Sequence, residues 1–158
     1  FINTLEIELR KAKKSANKKG KKLAYRFNGT SDRFDELKHL LDMKDQPFDQ
    51  AYDYTKDFKR VLDYQGYKGY NLTFSYDGLN KLEAKFLLKN KIANVSVVMN
   101  TKKDQELPKT YYLNGVEYPV LDGDKHDLRF TENKGYIIGL RAKGKAIKNN
   151  GTFVQPTN

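Results

Sequence analysis

The stretch DGDKHD, residues 122–127, holds the densest set of potential ligands in the chain. Asp122, Asp124 and His126 offer two carboxylates and an imidazole, which suit Mg²⁺ or Mn²⁺ better than zinc. They are the candidate metal ligands. The spacing matches a calcium loop only at its start, because no glutamate stands where an EF-hand would close. The same aspartates also suit a turn, accepting local backbone N–H groups, with Arg129 pairing Asp127. A metal here would polarise a phosphoryl oxygen and present a bound water as nucleophile. Asp32, Asp53 and His126 are the candidate catalytic groups for handling the proton.

The complementary need is a set of groups that hold phosphate oxygens. Asn28, Gly29, Thr30 and Ser31 form a polar turn before a helical pattern. Gly29 would let backbone amides approach a phosphate, with a helix N-terminus behind them. The turn lacks the spacing of a Walker loop or a dinucleotide fingerprint, and it reads equally as a helix cap. Lys56, Ser75, Arg129, Lys143 and Lys145 complete the candidate phosphate-binding set. Asp53 and Lys56 also read as a surface ion pair, with Tyr52 and Tyr54 in the core.

Other chemistries are poorly served. The chain has no cysteine, which removes disulfides, thiolate metal sites and cysteine nucleophiles. Ser31 and Ser75 have no neighbouring base and no nucleophile-elbow sequence. Among eleven tyrosines, Tyr64, Tyr67 and Tyr70 lie beside Lys59, Arg60 and Lys68 and make the best mixed patch for base stacking. Most of the others fit half-buried strand positions.

The elements that must position these groups follow a rhythm. Strand patterns at 23–28, 49–55, 69–75 and 93–99 alternate with helical patterns at 32–41, 57–63 and from Asp77 onward. Phe34, Leu37 and Leu41 share one face; Phe58, Val61 and Leu62 turn inward; Leu79, Leu82 and Phe86 share a third face. After a polar loop, 111–113 and 116–120 flank Asn114-Gly115, a hairpin signal. A last apolar strand spans 136–140.

Alternating strands and helices predict an α/β fold of βα repeats with a mainly parallel sheet. It is expected as a partial (β/α) barrel or an open sheet, with a small β-hairpin insertion. About five βα-like strands are too few for an eight-fold barrel. The 158 residues form one expected domain, with a basic amphipathic helix within 1–20 and a loose polar tail at 148–158. In either architecture the carboxyl ends of the strands gather at one rim, which would assemble the candidate site.

The formal net charge is +10, which attracts polyanions; nucleic acid or a nucleotide is the expected partner. A lysine-rich, solvated surface explains the same charge. The N-terminal helix carries Ile2, Leu5, Leu9, Ala12 and Ala16 on one side. Arg10, Lys11, Lys13, Lys14 and Lys18 lie on the other, a solvated face or a phosphate-contacting stripe. No run reaches the ~20 apolar residues of a membrane span and no signal-peptide pattern opens the chain, so no membrane and the host-cell cytoplasm are expected. The chain opens on Phe1, which reads as a segment absent or trimmed.

Together RFNGTSD, YDYTK, YNLTFS, NVSVVM, DGDKHDLRF and GLRAKGKA resemble an uncharacterised family of proteins from bacteriophages and plasmids, over nearly the whole chain. Similar members carry an upstream cysteine-rich segment. More distantly, the pattern looks like phage proteins with a radical-SAM-like barrel. Without cysteine, iron–sulfur or radical chemistry does not transfer to these residues. The resemblance implies a mobile-element context and names no reaction. The expected function is therefore a phage protein acting on or binding nucleic acid or a nucleotide, with metal-assisted phosphoryl chemistry at the rim. The alternatives are a non-catalytic basic nucleic-acid-binding module and the barrel portion of a larger cysteine-containing enzyme.

Overall fold

A computed structural model describes residues 1–28, 32–148 and 151–157. Helices α1 (Ile2–Lys18), α2 (Asp35–Leu41), α3 (Phe58–Asp63) and α4 (Lys81–Lys89) accompany strands β1 (Ala24–Arg26), β2 (Gln50–Thr55), β3 (Tyr70–Ser75) and β4 (Asn94–Met99). The remaining strands are β5 (Thr110–Leu113), β6 (Val116–Asp122), β7 (Ile137–Arg141) and β8 (Val154–Gln155), with 3₁₀ turns at Arg129–Thr131 and Gly144–Lys148. They form an eight-stranded sheet in the order β1-β2-β3-β4-β7-β6-β5, with β8 also beside β4. Every pairing is parallel except the β5–β6 hairpin. The sheet is open and is not closed into a barrel.

The connections explain which face each layer covers. From β1 to β4 each crossover steps one strand in the same direction. Right-handed crossovers then place α2, α3 and α4 on one face. Leu37, Leu40 and Leu41 of α2, Val61 of α3, and Ala84, Leu87 and Leu88 of α4 join Ala51, Leu72, Phe74, Val95 and Val97 in one core. The step from β6 back to β7 runs the opposite way. The same handedness rule carries residues 123–136 across the other face, where Phe130 lies 5.5 Å from the Tyr52 ring.

That second face is polar. Strand side chains alternate between faces. Register sets Arg26 beside Tyr52, Tyr54 beside Thr73, Thr73 beside Asn94, and Ser75 beside Ser96. A half-covered sheet face with so many hydroxyls and amides is unlike the apolar run expected of a doubly covered parallel sheet.

Three local expectations need correction. The apolar face expected of Leu79, Leu82 and Phe86 is exposed. The Asp77 carboxylate accepts the Leu79 and Asn80 N–H groups, so the helix starts only at Lys81 and its buried stripe becomes Ala84, Leu87 and Leu88. The second helix starts at Asp35 rather than residue 32, since the Asp32 carboxylate accepts from Thr55 Oγ1 and the Lys56 N–H instead. The polar tail expected to be loose contributes β8, and the Thr157 N–H donates to Asn100. The hairpin is as expected: Asn114 (φ 49°) and Gly115 (φ 78°) both sit in the left-handed region, as a tight two-residue turn requires. Among the described residues, no helix is long and apolar enough to cross a membrane.

Candidate functional site

Of the candidate catalytic residues, Asp32 and Asp53 meet at Arg60, whereas His126 lines the pocket on the other face. Tyr52 and Tyr54 send their hydroxyls to Asp127 on the polar face, at 3.4 and 3.2 Å. Asp53, between them, therefore points to the helix-covered face. There its buried carboxylate lies 3.1 Å from Arg60 and accepts from Asn28 Nδ2 at 2.9 Å. Arg60 also reaches Asp32 at 3.1 Å. Burial pushes Asp53 up to about 6, outweighing the bond from Asn28, the Arg60 charge and the Tyr54 N–H. Asn28, Asp32 and Asp53 thus form a brace around Arg60 that ties the end of β1 to β2 and α3. Gly29, Thr30 and Ser31 lie outside the described residues.

The polar face carries a pocket of about 570 Å³. Ser75, Asp124, His126 and Lys143 from the expected set line it. They are joined by Asp127 of the same ligand-rich stretch, and by Arg26, Tyr54, Tyr76, Ser96 and Phe153, which were not among the candidate site residues. A signal for several of these existed. Arg26, Tyr54, Ser75 and Ser96 stand at alternating strand positions, and the polar residues of four strands repeat that alternation. Phe153 gave no signal, because its place depends on β8 docking beside β4.

Paired charges organise the mouth. Asp127 accepts from Arg26 at 2.9 Å, and Arg26 stacks over the Tyr54 ring. Desolvation raises Tyr54, with the Asp127 charge adding to the rise against opposing Arg129 and Arg26; its hydroxyl stays protonated as a donor. Burial alone would raise Asp124, but hydrogen bonds from Lys143 and from the Arg141 N–H and guanidinium hold it below the usual carboxylate range. Gly123 lets this loop press on β7: a Cβ there would stand 2.6 Å from Ile138 Cγ2 and 3.0 Å from the Gly139 carbonyl. The His126 Nδ1 accepts the Leu128 N–H at 3.2 Å, so the neutral ring carries its proton on Nε2, 3.8 Å from Glu132.

The expected metal set is not assembled. Asp122 and Asp124 both bind Arg141, at 3.0 and 3.1 Å, while His126 turns to Leu128 and Glu132. No group of three His, Cys, Asp or Glu side chains among the described residues could hold a metal ion. The Arg141 guanidinium of β7 pairs both carboxylates.

Arg129 is also not a surface phosphate ligand. It is fully buried, bonded to Glu132 at 3.0 Å and to the Gly123 carbonyl at 3.2 Å. It pairs Glu132, and Asp127 pairs Arg26 instead. Lys56 sits at the pocket's margin, 3.6 Å from Asp77 and over the Phe153 ring. Lys145 is exposed in the Gly144–Lys148 turn, outside the lining.

Fold and site define an open α/β sheet protein, helix-covered on one face and bearing a polar pocket on the other. The chain belongs to the Gene product 88 family, a phage-type family whose model matches residues 1–156. Neither a curated protein nor a solved structure matches it.

Proposed function

We propose that this protein binds a nucleotide or single-stranded nucleic acid in the polar-face pocket. The observation that carries the reading is the convergence there of Arg26, Lys143 and His126 with the Ser75 and Ser96 hydroxyls and the Phe153 ring. Ligand sites of open α/β sheets favour the carboxyl ends of strands where strand order reverses. Here β4 and β7 flank that reversal. Lys143 and Arg26 exchange Asp124 and Asp127 for phosphate oxygens. The two carboxylates are then free to accept from base or ribose donors, and Phe153 offers a stacking surface. The net charge of +10 steers the polyanion toward the molecule.

The test is fluorescence anisotropy with a labelled mononucleotide and a labelled oligodeoxythymidine. The double variant Arg26→Gln, Lys143→Gln should bind the mononucleotide at least roughly tenfold more weakly, the size expected from losing charge-assisted bonds. Unchanged affinity in that variant, or no binding by the wild type, ends this reading.

A second reading places nucleic acid on α1, where Lys11, Lys14 and Lys18 are exposed. Lys13 is not part of such a stripe: its ammonium donates to the Gln46 carbonyl at 2.8 Å and helps dock the helix. Arg10 is likewise held by Glu6 and Asp45. Lys14→Glu with Lys18→Glu separates the two readings, since it would abolish oligonucleotide binding only in the second.

A further inference from the structure

A second groove lies at the other end of the sheet. Leu88, Lys89 and Lys91 after α4, Val116 and Tyr118 of β6, and residues 133–136 before β7 enclose about 690 Å³. Its lining contains three lysines, Lys89, Lys91 and Lys134, and no acidic residue. None of the three ammonium groups has an ion-pair or hydrogen-bond partner among the described residues. By contrast, Lys143 and Arg26 in the first pocket are each neutralised by an aspartate.

Two further features mark the groove as incomplete. Tyr118 is only 7% exposed, and its hydroxyl is buried without a hydrogen-bond partner. A buried donor left unpaired is unfavourable, because its lost hydration is not repaid. Lys134 is half-buried, and burial lowers its pKa with no neighbouring carboxylate to oppose the shift. A helix C-terminus favours nearby cations, which accounts for Lys89 and Lys91 but not for Lys134 or Tyr118. Backbone packing also brings two of the lysines together. A Cβ on Gly135 would stand 3.1 Å from Lys91 Cγ and 3.3 Å from the Leu88 carbonyl, so the 134–135 segment sits directly on the end of α4.

We propose that this groove binds the phosphodiester backbone of single-stranded nucleic acid, with Lys89, Lys91 and Lys134 on phosphates. Tyr136 and Pro119, also in the lining, give sugars and bases an apolar wall. The groove is at the amino ends of β4, β6 and β7, away from the first pocket, so this site stands whether or not that pocket takes a nucleotide.

The test uses the full chain and labelled oligodeoxythymidine across a salt series. Three phosphate contacts on a single strand contribute a slope of about 2 in log affinity against log salt. The triple variant Lys89→Gln, Lys91→Gln, Lys134→Gln should lose about that much slope, while Lys→Arg at the same positions keeps it. An unchanged slope in the glutamine variant, or an equal loss in the arginine variant, overturns the proposal. So does displacement of the oligonucleotide by polyglutamate or tripolyphosphate as effectively as by unlabelled strand, which would make the groove a site for acidic chains or free phosphate. Mononucleotide binding by the Arg26→Gln, Lys143→Gln variant reads the first pocket, so failure there is seen separately.

Discussion

The carboxylate of Asp53 lies 3.1 Å from the guanidinium of Arg60, and both side chains are almost wholly out of solvent. Asn28 Nδ2 and the Tyr54 N–H supply two more bonds to the same carboxylate. The pair joins β2 to α3 and, through Asp32, reaches the segment after β1.

This burial has a pH signature. Asp53 titrates near 3.8 when exposed and at about 6 when folded, because desolvation dominates. Between those values the folded chain keeps a proton that the unfolded chain has released. The contribution is fully present below pH 3.8 and is lost as pH rises through about 6. A rise from 3.8 to about 6 corresponds to about 3 kcal/mol. Urea unfolding of the wild type and of Asp53→Asn from pH 4 to 7 checks this. The stability difference between them should change by that order across the window, with the wild type losing more. A difference that stays constant with pH would show that Asp53 titrates alike in both states.

Lys91 offers a stability test tied to the groove. Its φ of 52° lies in the left-handed region, and its N–H closes α4 by donating to the Leu88 carbonyl. Glycine is the residue that adopts this conformation without cost. Lys91→Gly should therefore stabilise the fold by up to about 1 kcal/mol, read as a higher urea midpoint. In the same variant the oligonucleotide salt slope should fall by about 0.7, the share of one phosphate contact. Stability gained with the slope unchanged removes Lys91 from the proposed backbone contacts.

The βα rhythm, the parallel sheet and the Asn114-Gly115 hairpin were legible because periodicity and turn chemistry are local. The site was legible only in part, because it depends on which face each strand residue takes. Asp53 and Tyr54 are neighbours in sequence, yet one joins the Arg60 brace and the other meets Asp127 across the sheet. Asp122 and Asp124 resemble metal ligands until β7 delivers Arg141 between them. Nothing near residues 122–124 signals that pairing, which needs the β6–β7 register Asp122 to Gly139.

Gly123 tests how the loop over the polar face is held. A Cβ there meets Ile138 and Leu140 side chains at 2.6 and 2.7 Å and the Gly139 carbonyl at 3.0 Å. Gly123→Ala must push the loop off β7, which costs about 1–3 kcal/mol. Because Arg129 donates to the Gly123 carbonyl and Asp124 lines the pocket, mononucleotide affinity should fall together with stability. Calorimetry on the variant reads both. Full stability with full affinity would mean that the loop has room which this packing denies it.

The rotated stripe of α4 makes the sharpest packing prediction. Leu87 is fully buried against the sheet, whereas Leu82 is 70% exposed. Leu87→Ala leaves a cavity in a close-packed layer and should cost about 2–5 kcal/mol. Leu82→Ala removes a solvated side chain and should fall within about 0.5 kcal/mol of the wild type. Chemical denaturation of the two variants distinguishes the stripe of Ala84, Leu87 and Leu88 from the one read off residues 79, 82 and 86 alone. Equal costs for both variants, or a larger cost at Leu82, would turn the helix by about half a turn from the face that the Asp77-set start gives it.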